Sequence, residues 1–184
     1  TILGDKAQTL DEQMRDVLQF LPGVFDQKIR KIVMNKSYRN TMEIARYAEK
    51  LTGVKDVELL KRHGKEVVEE QFQTEDAVLD EILSKAKLGE DEYETAAIIT
   101  MTEAEASTLY QILKARGEEV HYIDRNSSVF KKGLTVTTFY LAKGLEFDQV
   151  FGVFQDAGNP MLNQAKYICA TRALHELYMY QITE

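Results

Sequence analysis

The run TAAIITM at residues 95–101 carries no charge, and it constrains the fold of this chain more than any other segment. A continuous apolar run of this kind predicts a central parallel strand that is covered on both faces. The residues that follow, Thr102-Glu-Ala-Glu105, have the pattern of a capping box, in which two side chains satisfy free backbone amides at a helix start. The segment therefore predicts a buried strand that leads directly into a helix.

Helical periodicity recurs on both sides of this strand. A second capping box is predicted at Asn40–Glu43, and Gly53 supplies a stop for the helix that follows. Apolar residues at helical spacing give that helix one buried face: Ile44, Tyr47, Ala48 and Leu51. Further helices are predicted over 75–87, over 161–174 and from the Thr102 cap to Gly117.

The remaining strands complete an alternation of strands and helices. The charged segment 65–72 (KEVVEEQF) is expected at an edge of the sheet, because edge strands carry many charges. The other strands are predicted at 29–34, 119–123, 134–139, 148–154 and 176–182. This order predicts an α/β domain with a mostly parallel sheet. Since such folds bind ligands at the carboxyl ends of their strands, the turn after 134–139 is the expected place for chemistry.

Composition limits the classes of function. The 184 residues suffice for one domain, or for one domain and a fragment of another. A net charge of −7 argues against a general nucleic-acid binder, since phosphate affinity comes largely from clustered Lys and Arg. The single cysteine, Cys169, excludes an internal disulfide, and three scattered histidines predict no metal site. Without a signal sequence or an apolar run of roughly 20 residues, we expect a cytoplasmic protein with no membrane contact.

The segment TTFYLAKGLEFD (137–148) carries residues that a turn alone does not require. Gly144 lets the backbone come close to a ligand or a neighbouring helix. Lys143 can meet a phosphate, and Glu146 can accept hydrogen bonds from a sugar hydroxyl. The alternative is a glycine turn with a solvated Lys–Glu pair.

Two arginines occur in comparable settings. In YICATRALHEL (167–177), Arg172 lies among apolar residues and needs an anionic partner, either a structural carboxylate or a bound phosphate. In NKSYRNT (35–41), Arg39 lies just ahead of a helix start, which favours anions. The alternative for Arg39 is a solvated side chain.

Together these segments resemble the late motifs of superfamily 1 helicases of the UvrD/Rep type, in the same order along the chain. ILGDKAQTL is similar to the GDxxQ motif, SYRNT to the NYRS segment, TTFYLAKGLEFD to TxHxAKGLEFD, and YICATRALHEL to YVAxTRAxxxL. The resemblance covers nearly the whole chain. It implies a RecA-like (P-loop NTPase-type) three-layer domain that uses ATP with Mg²⁺ and contacts DNA.

The resemblance also implies nucleotide-binding roles for particular residues. In that family two RecA-like domains close around ATP. Gln8 would sense the γ-phosphate, and Arg39 and Arg172 would reach it as arginine fingers, which stabilise the charge of phosphoryl transfer. Glu146 would hold the ribose region, and Gly144 would permit the close approach.

Three further residues would face single-stranded DNA. Thr138 is implied at a backbone phosphate, with Tyr140 and Lys143 on the same side of the loop. Tyr140 occupies a position where the family usually has His. No aromatic residue follows Gln8 before Phe20, so a base-stacking platform is not expected. In both departures the chain resembles the HelD branch of the family. Members of that branch bind bacterial RNA polymerase and use ATP to recycle stalled complexes.

By this interpretation residues 1–22 are the tail of a first RecA-like domain, and residues 23–184 are the second, C-terminal one. The sequence contains no GxxxxGK[ST] phosphate loop and no acidic magnesium-binding segment ahead of GDKAQ. The expected partner is therefore the first RecA-like domain of a longer protein. We expect an ATP-dependent helicase in that longer protein and no ATP hydrolysis by this chain alone.

Several alternatives stay open. A non-catalytic RecA-like adaptor would have the same fold without turnover, although the presence of Gln8, Arg39, Arg172 and Glu146 argues against a decayed site. An unrelated α/β nucleotide-binding enzyme would need its own Gly-rich phosphate loop, which the sequence lacks. The sequence does not separate a DNA helicase from a polymerase-recycling motor.

Overall fold

The computed structural model describes residues 39–53, 61–89, 92–127, 130–155 and 157–183, together with 21, 23–25, 32, 36–37 and 58–59. They include helices α1 Met42–Thr52, α2 Glu75–Lys85, α3 Glu103–Ala115 and α4 Leu162–Arg172. They also include strands β1 Lys36–Ser37, β2 Glu58–Leu59, β3 Val68–Phe72, β4 Thr95–Thr100, β5 Val120–Tyr122, β6 Gly133–Thr138, β7 Phe147–Phe154 and β8 Ala173–Ile182.

Six of these strands form one parallel sheet in the order β3-β8-β7-β4-β6-β5. β1 and β2 form a separate parallel pair. The uncharged run at 95–101 forms β4 in the interior of the sheet, and every residue of β4 is buried. The charged strand β3 lies at an edge. The predicted parallel sheet, its central strand and its charged edge are confirmed.

Helices cover both faces of the sheet. Ala97 and Ile99 of β4 pack into a core with α1 and α4, whereas Ala96 and Ile98 pack into a second core with α2 and α3. Successive residues of a strand point to opposite faces, so one apolar strand serves both cores. The predicted three-layer α/β architecture is confirmed.

The capping box at the start of α3 is also confirmed. The Thr102 hydroxyl accepts a hydrogen bond from the Glu105 amide at 3.2 Å, and the Glu105 carboxylate accepts one from the Thr102 amide at 2.8 Å. Two helix-end amides thus gain partners, as the sequence pattern requires.

Thr102→Ala is expected to lower the free energy of unfolding by about 1 kcal/mol, because the first turn of α3 loses its cap. Urea denaturation would measure the change. Thr108→Ala, at an exposed position inside the same helix, is the matched control and should be neutral or slightly stabilising. Equal losses in the two variants would contradict a capping role.

The second predicted capping box is wrong. Thr41, not Asn40, caps α1 and accepts from the Ile44 amide at 3.5 Å. Glu43 instead accepts from His63 Nδ1 at 2.9 Å and the Gly64 amide at 2.8 Å. A partner distant in sequence has replaced the local one.

Other boundaries shift where helix and strand meet without a loop. α4 ends at Arg172 and β8 begins at Ala173. The observed helix is therefore shorter than the predicted 161–174, and the observed strand is longer than the predicted 176–182. Apart from residue 32, the predicted strand 29–34 lies outside the described residues, as do residues 1–20 with Gln8. Within the described part of the chain, none of the helices has both the length and the apolar character needed to cross a bilayer.

Candidate functional site

The segment 139–146, here called the crossover segment, connects β6 to the parallel strand β7. Thr138 is level with Thr100, and Thr100 is level with Val153 near the far end of β7. The segment must therefore run back along the sheet for about 20 Å, at roughly 3.3 Å per strand residue. Phe139 and Ala142 are buried in the core with α1 and α4, which holds the segment against that face. One short segment thus connects the side of the sheet where the strands end, here called the carboxyl edge, to the side where they begin, here called the amino edge.

Gly144 has a φ of +96°, in the left-handed region. A side chain there would have open space, since no atom lies within 4 Å of an added Cβ. The glycine is therefore required by the backbone turn. Its implied part in the approach of a ligand stays a prediction.

At the amino edge of the sheet, Arg39 and Glu146 form an ion pair. Arg39 Nε lies 2.6 Å from Glu146 Oε1, and the two side chains are 41% and 43% exposed. Arg39 Nη1 also donates to the Thr171 carbonyl at 3.4 Å. The pair is within reach of solvent and of any ligand that approaches this edge.

Arg172 lies beside this pair and is buried, with 4% of its surface exposed. Its Nη1 donates to the Leu145 carbonyl at 3.2 Å, and its Nη2 donates to the Thr171 hydroxyl at 3.2 Å. Both of these hydrogen bonds go to neutral oxygens. The structure brings Arg39, Glu146 and Arg172 together, although they are far apart in sequence.

This cluster lies at the amino ends of β7 and β8, because Glu146 directly precedes β7 and Arg172 directly precedes β8. Glu146 and Arg172 thus lie at the strand ends opposite to the turn after 134–139, where the sequence predicts the chemistry. The reason is the crossover segment, which starts at the carboxyl edge and delivers Glu146 to the opposite one.

Two residues that sequence reasoning missed hold the cluster in place. The Asn40 side chain donates to the carbonyls of Ala170 and Ala173, at 2.9 and 2.7 Å. Arg62 donates to the Arg39 carbonyl at 3.0 Å and to the Leu174 carbonyl. These bonds satisfy carbonyls at the end of α4 and fix the segment of Arg39 to that of Arg172. Local patterns gave no signal for either contact.

At the carboxyl edge, Tyr140 belongs to a different cluster. Its hydroxyl donates to Glu103 Oε1 at 2.7 Å, and Arg125 Nε donates to the same oxygen at 2.8 Å. The guanidinium of Arg125 also lies 6.0 Å from the centre of the Tyr140 ring. The hydrogen bond from Tyr140, more than that from Arg125, lowers the pKa of Glu103.

The other two residues implied at nucleic acid differ in exposure. Thr138 is 1% exposed, and its hydroxyl oxygen has no hydrogen-bond partner among the described residues. Lys143 is exposed on the crossover segment. Thr138 and Tyr140 lie at the carboxyl end of β6, whereas the Arg39–Glu146 pair lies at the amino end of β7. Their implied roles stay predictions.

A three-layer α/β fold with a parallel sheet is the RecA-like architecture that the resemblance implied. A possible DNA helicase from Lactobacillus plantarum WCFS1 has a C-terminal domain that is similar to this chain in both structure and sequence. Identity is 28%, the TM-score is 0.57, and the match covers 79% of this chain and 88% of that one. The predicted resemblance to a helicase C-terminal domain is thus confirmed.

A second solved structure, the arterivirus nonstructural protein 10 helicase with DNA, is 12% identical over 63% of this chain and 28% of its own. Its TM-score is 0.41. No family model and no curated protein matches the sequence.

Proposed function

We propose that this chain is the C-terminal motor domain of an ATP-dependent DNA helicase or translocase. The observation that carries the proposal is the Arg39–Glu146 ion pair beside the buried Arg172 at the amino edge of the sheet. The similarity to a domain of a possible DNA helicase supports it. Two guanidinium groups beside one carboxylate suit a ligand that combines a triphosphate with a ribose.

In this proposal Arg39 and Arg172 stabilise the charge on the γ-phosphate during transfer, and Glu146 accepts hydrogen bonds from the ribose. Arg39 and Glu146 form an ion pair in this structure. A bound nucleotide would break that ion pair, because it would contact both side chains. Among the described residues, no group of His, Cys, Asp or Glu is placed to hold a metal ion. In this proposal the first RecA-like domain supplies the Mg²⁺ site and the phosphate loop, with Gln8 at the junction.

The crossover segment gives the proposal a mechanical element. It follows Thr138, passes Tyr140 and Lys143 and ends at Glu146. Single-stranded DNA at the first three residues would thus be joined to the nucleotide by a short segment packed on the core. Movement at one end would be transmitted to the other, because the buried Phe139 and Ala142 prevent the segment from bending freely.

The first test is ATP hydrolysis, measured for this chain alone and for the longer protein that carries it. We expect no steady turnover by the isolated chain, and turnover by the longer protein that rises with single-stranded DNA. Turnover by the isolated chain that disappears in the Arg172→Ala variant would contradict the proposed division of the site. A longer protein without turnover under any condition would favour the non-catalytic adaptor.

A second candidate is a motor of the HelD type that recycles RNA polymerase. The observation that favours it is the carboxyl edge, where Tyr140 is bound to Glu103 and the Thr138 hydroxyl is buried. In this second candidate neither hydroxyl would contact a DNA phosphate. Adding RNA polymerase to the hydrolysis assay separates the candidates: a response to polymerase with little response to DNA selects the recycling motor.

A further inference from the structure

A cavity of about 340 Å³ opens at the amino edge of the sheet, next to the Arg39–Glu146 pair. Its wall includes Arg62, His63, Lys65, Lys87, Tyr93 and Glu176, and none of Arg39, Glu146 and Arg172. Arg62 connects the two places, since it also donates to the Arg39 carbonyl at 3.0 Å. The cavity is thus adjacent to the proposed nucleotide site but is built from other residues. Its volume is within the range of small-molecule sites.

The wall of this cavity has three cationic side chains, Arg62, Lys65 and Lys87, and one carboxylate, Glu176. Lys65 Nζ lies 2.8 Å and Lys87 Nζ lies 3.1 Å from the same oxygen, Glu176 Oε1. Two ammonium groups therefore converge on one negative charge, with the Arg62 guanidinium in the same wall. Like charges held this close repel each other, and a second anion would relieve that repulsion.

Both oxygens of the Glu176 carboxylate already accept hydrogen bonds, whereas the two lysines keep spare donors. Glu176 Oε1 also accepts from the Tyr93 hydroxyl at 3.2 Å, and Oε2 accepts from Gln149 at 2.9 Å and Tyr178 at 2.7 Å. An ammonium group has three N–H donors, so one bond to Glu176 leaves each lysine with donors for a ligand. Lys65 is 56% exposed and Lys87 39%, so both can reach a molecule in the cavity. Spare lysine donors beside a carboxylate whose oxygens are already occupied favour a ligand that only accepts hydrogen bonds.

We propose that this cavity binds an anion of the phosphate class, such as a compact oligophosphate, through Arg62, Lys65 and Lys87. Phosphate oxygens accept charge-assisted hydrogen bonds from both ammonium and guanidinium groups. The proposal does not depend on the helicase assignment, because it concerns other residues and requires no turnover.

Tripolyphosphate titrated into the chain, followed by amide chemical shifts, tests the proposal. We expect saturable shifts at residues 62–65, 87 and 175–176. Lys65→Met should weaken binding about tenfold or more, since one of three cationic contacts is lost. Lys114→Met, at an exposed position of α3, makes the same change in net charge and should leave the affinity unaltered. Absence of shifts at these residues, or equal affinities in the two variants, would overturn the proposal.

The Lys65→Met variant is expected to fold, because Glu176 keeps the donors of Lys87, Tyr93, Gln149 and Tyr178. If the variant does not fold, the rate of lysine acetylation in the wild-type chain tests the proposal instead. Tripolyphosphate should then slow the acetylation of Lys65 and Lys87 and leave that of Lys114 unchanged, and equal rates at all three would overturn the proposal.

Competition identifies the source of the phosphate. ATP or a short single-stranded oligonucleotide that displaces tripolyphosphate from the cavity identifies a nucleotide or a nucleic-acid backbone as the ligand. Failure of both to compete leaves free oligophosphate as the source.

Discussion

Arg172→Ala in the longer motor protein is expected to lower kcat for ATP hydrolysis by about 10³-fold or more, with little change in KM. In the proposed mechanism the guanidinium stabilises charge that develops only in the transition state, so its loss affects kcat and not ground-state binding. Its burial at 4% exposure beside Leu145 and Thr171 fixes its position before the nucleotide arrives. Steady-state kinetics over a range of ATP concentrations would measure both constants.

The control separates catalysis from folding. Arg46→Ala removes an exposed arginine from α1 and should leave kcat and stability unaltered. Arg172→Lys keeps the charge without the planar fork and is expected to recover only part of the rate. A folded Arg172→Ala protein that loses less than tenfold in kcat would disprove the role as an arginine finger.

Arg39 supplies an independent check, because its exposed side chain makes little contribution to the core. Arg39→Ala should lower kcat without a change in unfolding temperature, whereas Arg172→Ala removes buried hydrogen bonds and should lower both. If only the unfolding temperature responded in both variants, the cluster would be structural.

The architecture could be predicted from sequence because buried parallel strands leave a strong signal. The run at 95–101 has no charge since both faces of β4 are covered, and β3 is charged since it lies at an edge. The junction of α4 and β8 could not be predicted, because neither glycine nor proline marks the change from helix to strand at Ala173. Backbone conformation there depends on strand pairing with β7.

The candidate site could be predicted only in part. The motifs identify Arg39, Glu146 and Arg172, but their position at the amino edge depends on strand register, which the sequence does not contain. The predicted cap at Asn40 is wrong because a helix cap and a long-range amide contact favour the same residue type. Such contacts are set by tertiary packing, so no local pattern marks them.

Tertiary packing also builds the network around Glu176, which no local pattern marks. Loss of this network is expected to have a large effect on stability. Glu176→Gln should lower the free energy of unfolding at pH 7 by about 2–4 kcal/mol, because Lys65 and Lys87 lose the buried charge that they share. Urea denaturation would measure the loss. Glu94→Gln is the matched control: its carboxylate pairs with Lys132 at 2.7 Å on the surface, where both side chains are mostly exposed. The control should cost less than about 1 kcal/mol.

The same substitution is expected to flatten the acid dependence of stability. Burial raises the pKa of Glu176, but hydrogen bonds from Lys65, Tyr178, Gln149 and Lys87 together lower it to about 2. Because the unfolded carboxyl titrates near 4.5, this stabilisation is complete above that pH and is lost as the pH falls toward 2. Glu43, with its pKa also lowered to about 2 by His63 and the Gly64 amide, remains in the variant. Part of the acid-linked loss should therefore remain in Glu176→Gln, and slopes equal to the wild type between pH 4.5 and 2 would show that Glu176 does not contribute to it.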